Sequence, residues 1–437
     1  MTVAFGITKA LGALSAGAKS RRAFLTMMAG AFGAGLVSGM PLARAGEESP
    51  IEALLRYRTQ SEWDDKFDTS LRDQAKVKSD QPTLSPETAR YIEEAIQRYS
   101  SIAAQGGWGA MPTDATKLRI GERHRNVIYL RKRLMMSGDL PQSAGLSDTF
   151  DSYVDIAVRR FQVRHGIQPD GVVGRGTIAA LNVPVEQRLQ QLQVNLVRVR
   201  SMSGFLGDRY VMVNVPAAEI EAVENGRVRS RHTAVVGKVD RPTPLLDSKI
   251  YELNFNPFWH VPVSIIRKDL IPKMNQDPQY LVRNHIRIYD GQGNELTADQ
   301  INWQTDEAVN YMFRQDPGEI NSLGSVRINF HNKHSVYLHD TPAKTLFGQN
   351  YRFHSSGCVR VQNVRELVTW LLAPSGEWPR ARVDEVIRSG ERVDVKLKQQ
   401  VPIYTTYVTA WATSDGVVNF REDIYHRDDG TDDVALR

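Results

Sequence analysis

The chain has a single cysteine among 437 residues, Cys358, in His354-Ser355-Ser356-Gly357-Cys358-Val359-Arg360. His339 lies nineteen residues upstream, in Tyr337-Leu338-His339-Asp340. A lone cysteine cannot form an intramolecular disulfide. In an oxidising compartment, an unpaired thiol beside Gly and Ser is either a small buried hydrophobe or a nucleophile. A free thiol holds little thiolate at neutral pH, and a neighbouring histidine corrects this by taking the proton. The main-chain amides at Gly357 and Cys358 could then stabilise an oxyanion. Metal binding competes on paper, because His331, His334, His339, His354 and Cys358 are close in sequence. On one strand, His334 and His339 would face opposite ways. His331 and His339 would share a face but stand roughly 26 Å apart at ~3.3 Å per residue, too far for one ion.

The surrounding pattern supplies a means of joining the two residues. Val336-Tyr337-Leu338-His339 reads as a strand, Thr341-Pro342 as a turn, and Gly348-Gln349-Asn350 as a loop that returns the chain to Cys358. Such a strand–loop–strand return can bring His339 beside Cys358. Alternation at Tyr210–Val215, with further runs at His232–Val236, Ser248–Leu253, Val326–Phe330 and Ser335–Leu338, predicts a mostly β domain. Strand pairing breaks off between about Ser264 and Gly324. That stretch carries helical and mixed segments and reads equally as a lid or a surface insertion. Trp303, Tyr311, Met312 and Phe313 offer it apolar surface to rest on a cleft.

Three helical patterns precede the β domain. Ser85 followed by Ile92, Ala95, Ile96 and Tyr99 predicts a capped helix. Between Lys117 and Asn182, helices marked by Val127, Leu130 and Leu134, by Phe150, Val154 and Phe161, and by Ile178 and Leu181 surround an Asp170-Gly171 turn. A further helix over 185–203 bridges to the β domain.

Residues 1–45 read as an export signal, with twin-arginine-like Ser20-Arg21-Arg22-Ala23-Phe24-Leu25, an apolar Gly/Ala-rich run and Ala43-Arg44-Ala45 before a cleavage point. The formal charge of +5 resides there: Lys9, Lys19, Arg21, Arg22 and Arg44 with no acid, so removal takes +5 to 0. A near-neutral mature chain argues against nucleic acid as a partner. No later stretch is apolar enough to span a bilayer, so no stable membrane span is expected after signal removal.

Two resemblances now carry the reading further. Ala157-Val158-Arg159-Arg160-Phe161-Gln162, His165-Gly166, Asp170-Gly171-Val172-Val173-Gly174, Thr177 and Ala180-Leu181-Asn182 resemble the small three-helix peptidoglycan-binding domain. His339 with Ser356-Gly357-Cys358-Val359-Arg360 is similar to the catalytic signature of L,D-transpeptidases. So are Pro317-Gly318 with Asn321-Ser322-Leu323-Gly324, and Tyr337-Leu338-His339-Asp340-Thr341-Pro342. The likeness extends to Val408-Thr409-Ala410-Trp411 and to Val418–Tyr425. It covers roughly residues 205–425 and is closest to the large, capped periplasmic members, which carry Ser where many others carry His at position 356.

The resemblance implies a multidomain α+β protein. Its parts would be an export signal (1–45), a helical scaffold (46–115), a peptidoglycan-binding domain (116–184), a linker helix (185–207), and a mostly β L,D-transpeptidase domain (208–402) with a helical cap insertion at about 264–324. A C-terminal segment (403–437) would follow. The resemblance implies a periplasmic acyltransferase that forms 3→3 cross-links between peptidoglycan stem peptides and is acylated by carbapenems. Cys358 would be the nucleophile and His339 the general base. The Asp340 carbonyl would orient the imidazole, and Ser356 and Gly357 would belong to the oxyanion region. Arg360 would either hold the loop or contact a substrate carboxylate, and Tyr337 would line the pocket or the strand core. No cofactor and no metal is expected. An outer-membrane lipoprotein lysine or a D-amino acid is a possible acceptor in place of a second stem. The alternatives are a stem-trimming L,D-carboxypeptidase or endopeptidase, and a non-catalytic wall-binding scaffold.

Overall fold

A computed structural model describes residues 79–112, 117–204 and 206–429. The export segment and the scaffold region up to residue 78 lie outside the described residues. Helix α1 (Thr88–Ala104) begins two residues later than Ser85-capping predicts. Ser85 instead exchanges hydrogen bonds with Thr88, its N–H reaching the Thr88 hydroxyl at 3.0 Å.

Helices α2 (Asn126–Met136), α3 (Ser152–Arg164) and α4 (Arg175–Leu181) enclose Val127, Leu130, Leu134, Phe150, Val154 and Phe161, all fully buried. Asp151 caps α3 by accepting from the Val154 N–H at 3.1 Å. The Asp170-Gly171 turn is held by buried Gln162, whose amide donates to Asp170 at 2.7 Å and accepts from the Gly171 N–H at 2.9 Å. Gly171 has φ +74°, and a Cβ there would come within 2.3 Å of the Asp155 carboxylate, so only glycine fits.

Helix α5 (Val185–Ser203) runs on from this module and packs beside α1. It is tied to the C-terminal segment by a buried network. Asn195 donates to the Thr409 hydroxyl at 2.6 Å, Thr409 to Asp428 at 2.7 Å, and Arg198 to Asp428 at 2.5 Å. These bonds account for the Val408–Trp411 and Val418–Tyr425 segments: they form the hairpin β14 (Ala410–Ala412) and β15 (Val418–Phe420) that clasps α5.

The β domain is one nine-stranded sheet. Its strands are β1 (Arg209–Asn214), β2 (Glu219–Glu224), β3 (Arg227–Gly237), β4 (Leu246–Phe255), β9 (Val326–Phe330), β10 (Leu338–His339), β11 (Phe353–Ser355), β12 (Val359–Val361) and β13 (Val393–Thr406). They run in the order β11-β3-β12-β10-β9-β4-β13-β1-β2, and β2 pairs β3 to close the sheet on itself. Inside it, Val213, Ile220, Ala234, Leu253, Ile328 and Leu338 pack with helices α6 (Val364–Leu372) and α7 (Arg380–Ser389).

Three expectations are corrected here. A domain boundary at 402 would cut β13, which continues to Thr406 and pairs with both β4 and β1. The strand expected over Ser335–Leu338 is confined to Leu338–His339, because Asn332 binds the Phe330 and Val336 carbonyls and turns the chain. The insertion is not simply helical. It also holds an antiparallel sheet of β5 (Trp259–His260), β8 (Met312–Gln315), β6 (Ile286–Tyr289) and β7 (Glu295–Leu296). Strands of two to four residues are too short for alternation to reveal.

This cap folds around its own core of Ile266, Leu270, Met274, Ile286, Ile288 and Phe313. Phe313 and Trp303 pack against each other within it rather than on the cleft. Among the described residues no helix is long and apolar enough to cross a membrane.

Candidate active site

Three strands set the candidate residues abreast. Arg327 of β9 lies opposite His339 of β10, and His339 lies opposite Arg360 of β12. The parallel pairing extends one step back, with the Val359 N–H donating to the Tyr337 carbonyl at 3.1 Å. Side chains alternate along strands. Leu338, Ile328, Val359 and Val361 therefore enter the core, and Arg327, Tyr337, His339 and Arg360 share the opposite face. Cys358, just ahead of β12, touches the edge of the core while its thiol is within reach of Tyr337, Arg327 and Arg360. Cys358 and His339 are diagonal neighbours on adjacent strands, a spacing of roughly 7–8 Å between backbones that a long aromatic side chain can bridge.

His339 is buried, and its Nδ1 lies 2.5 Å from the Asp340 carbonyl oxygen. A carbonyl only accepts, so Nδ1 carries the proton and Nε2 is left as the acceptor. Burial, reinforced by the Arg360 and Arg327 charges, brings the imidazole down to about 3, against the pull of Asp340. The imidazole is therefore neutral across the physiological range. The Asp340 carboxylate faces away, accepting from Lys344 at 2.5 Å and from the Ser325 N–H and hydroxyl at 2.9 and 2.7 Å. Burial would raise this carboxyl, but Lys344 and Ser325 hold it below its ordinary value. Gly324 allows this approach: a Cβ there would meet the carboxylate at 2.5 Å.

Cys358 is half-buried. Burial pushes its thiol up, and the Tyr337 N–H and hydroxyl, with Arg327 and Arg360, offset only part of that rise. The resting pair is thus a thiol beside a neutral imidazole, not a thiolate–imidazolium pair. Tyr337 is placed on the sulfur itself, with its ring 5.6 Å from that of His339.

The cysteine loop is braced by residues that sequence reasoning passed over. Ser355 Oγ accepts from the Gly357 N–H at 3.1 Å and donates to the Cys358 carbonyl at 2.5 Å. The Gly357 amide, expected in the oxyanion region, is thus already engaged. Gly357 has φ +113°, and its carbonyl accepts from the Thr243 hydroxyl at 3.0 Å. Thr243 also caps the Gly237 N–H at 2.9 Å, in a turn so tight that a Cβ on Gly237 would lie 2.3 Å from the Arg241 carbonyl. Tyr425 closes the brace by donating to the Gly237 carbonyl at 2.5 Å. Ser356 is exposed and accepts from Arg241 at 2.9 Å, and Arg241 also pairs with Asp269 of the cap at 2.5 Å. On the other flank, cap residue Trp259 reaches the Tyr337 hydroxyl. Among the described residues, no group of three or more His, Cys, Asp or Glu is placed to hold a metal ion.

Comparison with known proteins finds likenesses over two stretches of the chain. Residues 208–396 match the YkuD family, the L,D-transpeptidase catalytic domain. That stretch of the chain is thus similar to an L,D-transpeptidase catalytic domain. Residues 123–181 match the family described as "Putative peptidoglycan binding domain". A curated Haemophilus influenzae protein, "Putative L,D-transpeptidase", is 34% identical over 240 residues, covering 55% of this chain. The chain spans about half the length of that relative, 48%. Solved structures similar to the chain include an L,D-transpeptidase from Xylanimonas cellulosilytica, with 17% identity, 68% of this chain and 100% of that one covered, and TM-score 0.22. Another, from Stackebrandtia nassauensis, has 14% identity, coverage of 68% and 97%, and TM-score 0.24. The stretch that matches the L,D-transpeptidase model holds Cys358, His339 and the whole cap, and the stretch that matches the peptidoglycan-binding model precedes it through α5.

Proposed function

We propose that the protein is an exported L,D-transpeptidase that works by cysteine acyl transfer on peptidoglycan stems. The observation that carries this reading is the pairing of β10 with β12. It presents a thiol beside an imidazole whose Nδ1 is fixed by the Asp340 carbonyl and whose Nε2 is free to accept a proton. His339 Nε2 takes the proton as Cys358 Sγ adds to the carbonyl joining the third stem residue to D-alanine. With the Gly357 amide engaged by Ser355, the Cys358 N–H is the main-chain donor for the oxyanion, and the Tyr337 hydroxyl beside the sulfur is a second. His339 then returns the proton to the leaving D-alanine amine, and a thioester remains. An amine from a second stem attacks that thioester, His339 accepts its proton, and the thiol is restored with a 3→3 cross-link formed.

The cap supports transfer over hydrolysis. It is anchored on both flanks of Cys358, through Asp269 to Arg241 and Ser356 and through Trp259 to Tyr337. Water excluded from the thioester leaves the amine as acceptor. The peptidoglycan-binding domain and the twin-arginine-like leader fit a periplasmic, wall-associated site of action. Incubation with disaccharide-tetrapeptide tests the reading. We expect cross-linked dimers and released D-alanine, both abolished in Cys358→Ala and lowered at least 100-fold in His339→Gln. Tripeptides alone would identify a carboxypeptidase, and an unaltered substrate would favour the wall-binding scaffold.

A further inference from the structure

Two guanidiniums flank His339 on its face of the sheet, within reach of the Cys358 thiol. Arg327 and Arg360 sit in register on either side of it, about 10 Å apart at two strand spacings. Among the described residues neither makes a hydrogen bond or an ion pair, and the Nε of each is buried without a partner. The row continues into Asn254 beyond Arg327 and into Val235 beyond Arg360, and the carboxylates on this side of the sheet, Glu252 and Asp394, are engaged by Asn254 and Asn329 rather than by either arginine. Asp340, which follows His339, is turned to Lys344 and Ser325. Arg327 lies instead over the face of Tyr337, its guanidinium carbon 4.5 Å from the ring centroid, and that ring reaches the sulfur.

Two half-buried cations without an anion are an expensive arrangement. It makes sense if an anion arrives with the substrate, because the planar fork of arginine matches a carboxylate in two parallel hydrogen bonds. We propose that Arg327, together with Arg360, recognises a carboxylate of the donor stem peptide and so sets which stems can acylate Cys358. The proposal rests on the reading of the site as an acyl-transfer centre. Two donor carboxylates lie near the bond that breaks: the C-terminal carboxylate of the leaving D-residue and the side-chain carboxylate of the third residue. The competing role for the pair is to stabilise the Cys358 thiolate. The raised thiol argues that they do not accomplish this at rest.

The test measures acylation of Cys358 by time-resolved intact-protein mass spectrometry with three synthetic tetrapeptide donors. One has both carboxylates free, one is amidated at its C-terminus, and one is amidated on the third-residue side chain. The native enzyme should prefer the free donor over one of the amides by about 10–100-fold, the worth of a charged hydrogen bond, and which amide fails names the carboxylate. Arg327→Ala should lose that preference, slowing acylation by the free donor more than by the failing amide. Arg327→Lys, which keeps the cation over Tyr337 but not the fork, should retain part of it and serves if Arg327→Ala does not fold. Equal loss on all three donors would overturn the proposal in favour of thiolate stabilisation, and so would native indifference to both amides. Failure of the native enzyme to acylate with any donor would instead remove the acyl-transfer reading beneath it.

Discussion

At the residue scale the site depends on a histidine kept neutral and a cysteine kept in place. That His339 and Cys358 come to neighbouring strands was legible in the sequence, because a lone thiol, a histidine and a glycine-rich return loop are unusual together. The Asp340 carbonyl was legible only through the family signature. Arg327, Ser355 and Thr243 were not. Arg327 matters through strand register and Thr243 through a hydrogen bond to a residue more than a hundred positions on, of which local pattern carries no trace, whereas Ser355 acts within its own loop, on residues two and three positions away. Thr243 is the sharpest case. Its hydroxyl donates to the Gly357 carbonyl and accepts from the Gly237 N–H, and it is 1% exposed. Thr243→Val keeps the shape and removes both bonds. It should cost about 1–3 kcal/mol in stability and, by loosening the cysteine loop, slow acylation by up to about 100-fold. A thermal melt and a mass-spectrometric time course check the two effects separately. Native acylation in a destabilised variant would show that the brace serves folding alone.

At the element scale the instructive piece is the cap. Its position and rough extent were readable, because strand alternation stops and resumes around it. Its short strands and its private core were not, since two-residue strands have no period. That private core bears on whether the cap can be removed. The insertion's two ends are joined at the base by Asn321, whose side chain donates to the Pro257 carbonyl at 3.1 Å, and by the Asn256 N–H to the Ser325 carbonyl at 2.8 Å. Replacing residues 258–320 with a short Gly/Ser linker should therefore leave the nine-stranded sheet folded and Cys358 able to acylate. The ratio of cross-link to tripeptide should fall, because the thioester is then open to water. Product ratios measured by chromatography on stem-peptide substrates test this. An unchanged ratio in a folded variant would show that the cap is not a lid.

At the scale of the whole molecule, the helices between Lys117 and Asn182 fall close to where periodicity puts them. Less visible was how firmly the parts are joined. Arg164 pairs with Asp139 at 2.5 Å and donates to the Val418 carbonyl at 3.2 Å, so a buried ion pair of one module touches the C-terminal hairpin of the other. The same burial sets the molecule's response to acid. His339 and His232 are lowered to about 3 and about 4, chiefly by burial, and His165 is lowered well below its ordinary value for the same first reason. Their ordinary value is 6.5. As pH falls below 6.5 the unfolded chain takes up protons that the folded chain refuses, so stability falls with pH. It is fully present only above 6.5. Each such histidine adds about 1.4 kcal/mol per pH unit to the slope while only the unfolded form is protonated. Urea midpoints between pH 7 and 4.5 should drop steadily, and His232→Gln should flatten the slope by one histidine's share. Midpoints level across that range would contradict the burial argument.

The central claim is that Cys358 carries the donor stem as a thioester after expelling D-alanine, and the most direct measurement is the mass of the intact protein after brief exposure to a tetrapeptide donor. The predicted result is a single mass increase equal to the donor less D-alanine, which carries away the hydrogen of the thiol. It should map to Cys358 and be absent in Cys358→Ala. No adduct on the folded protein, or the same adduct in Cys358→Ala, would contradict the account.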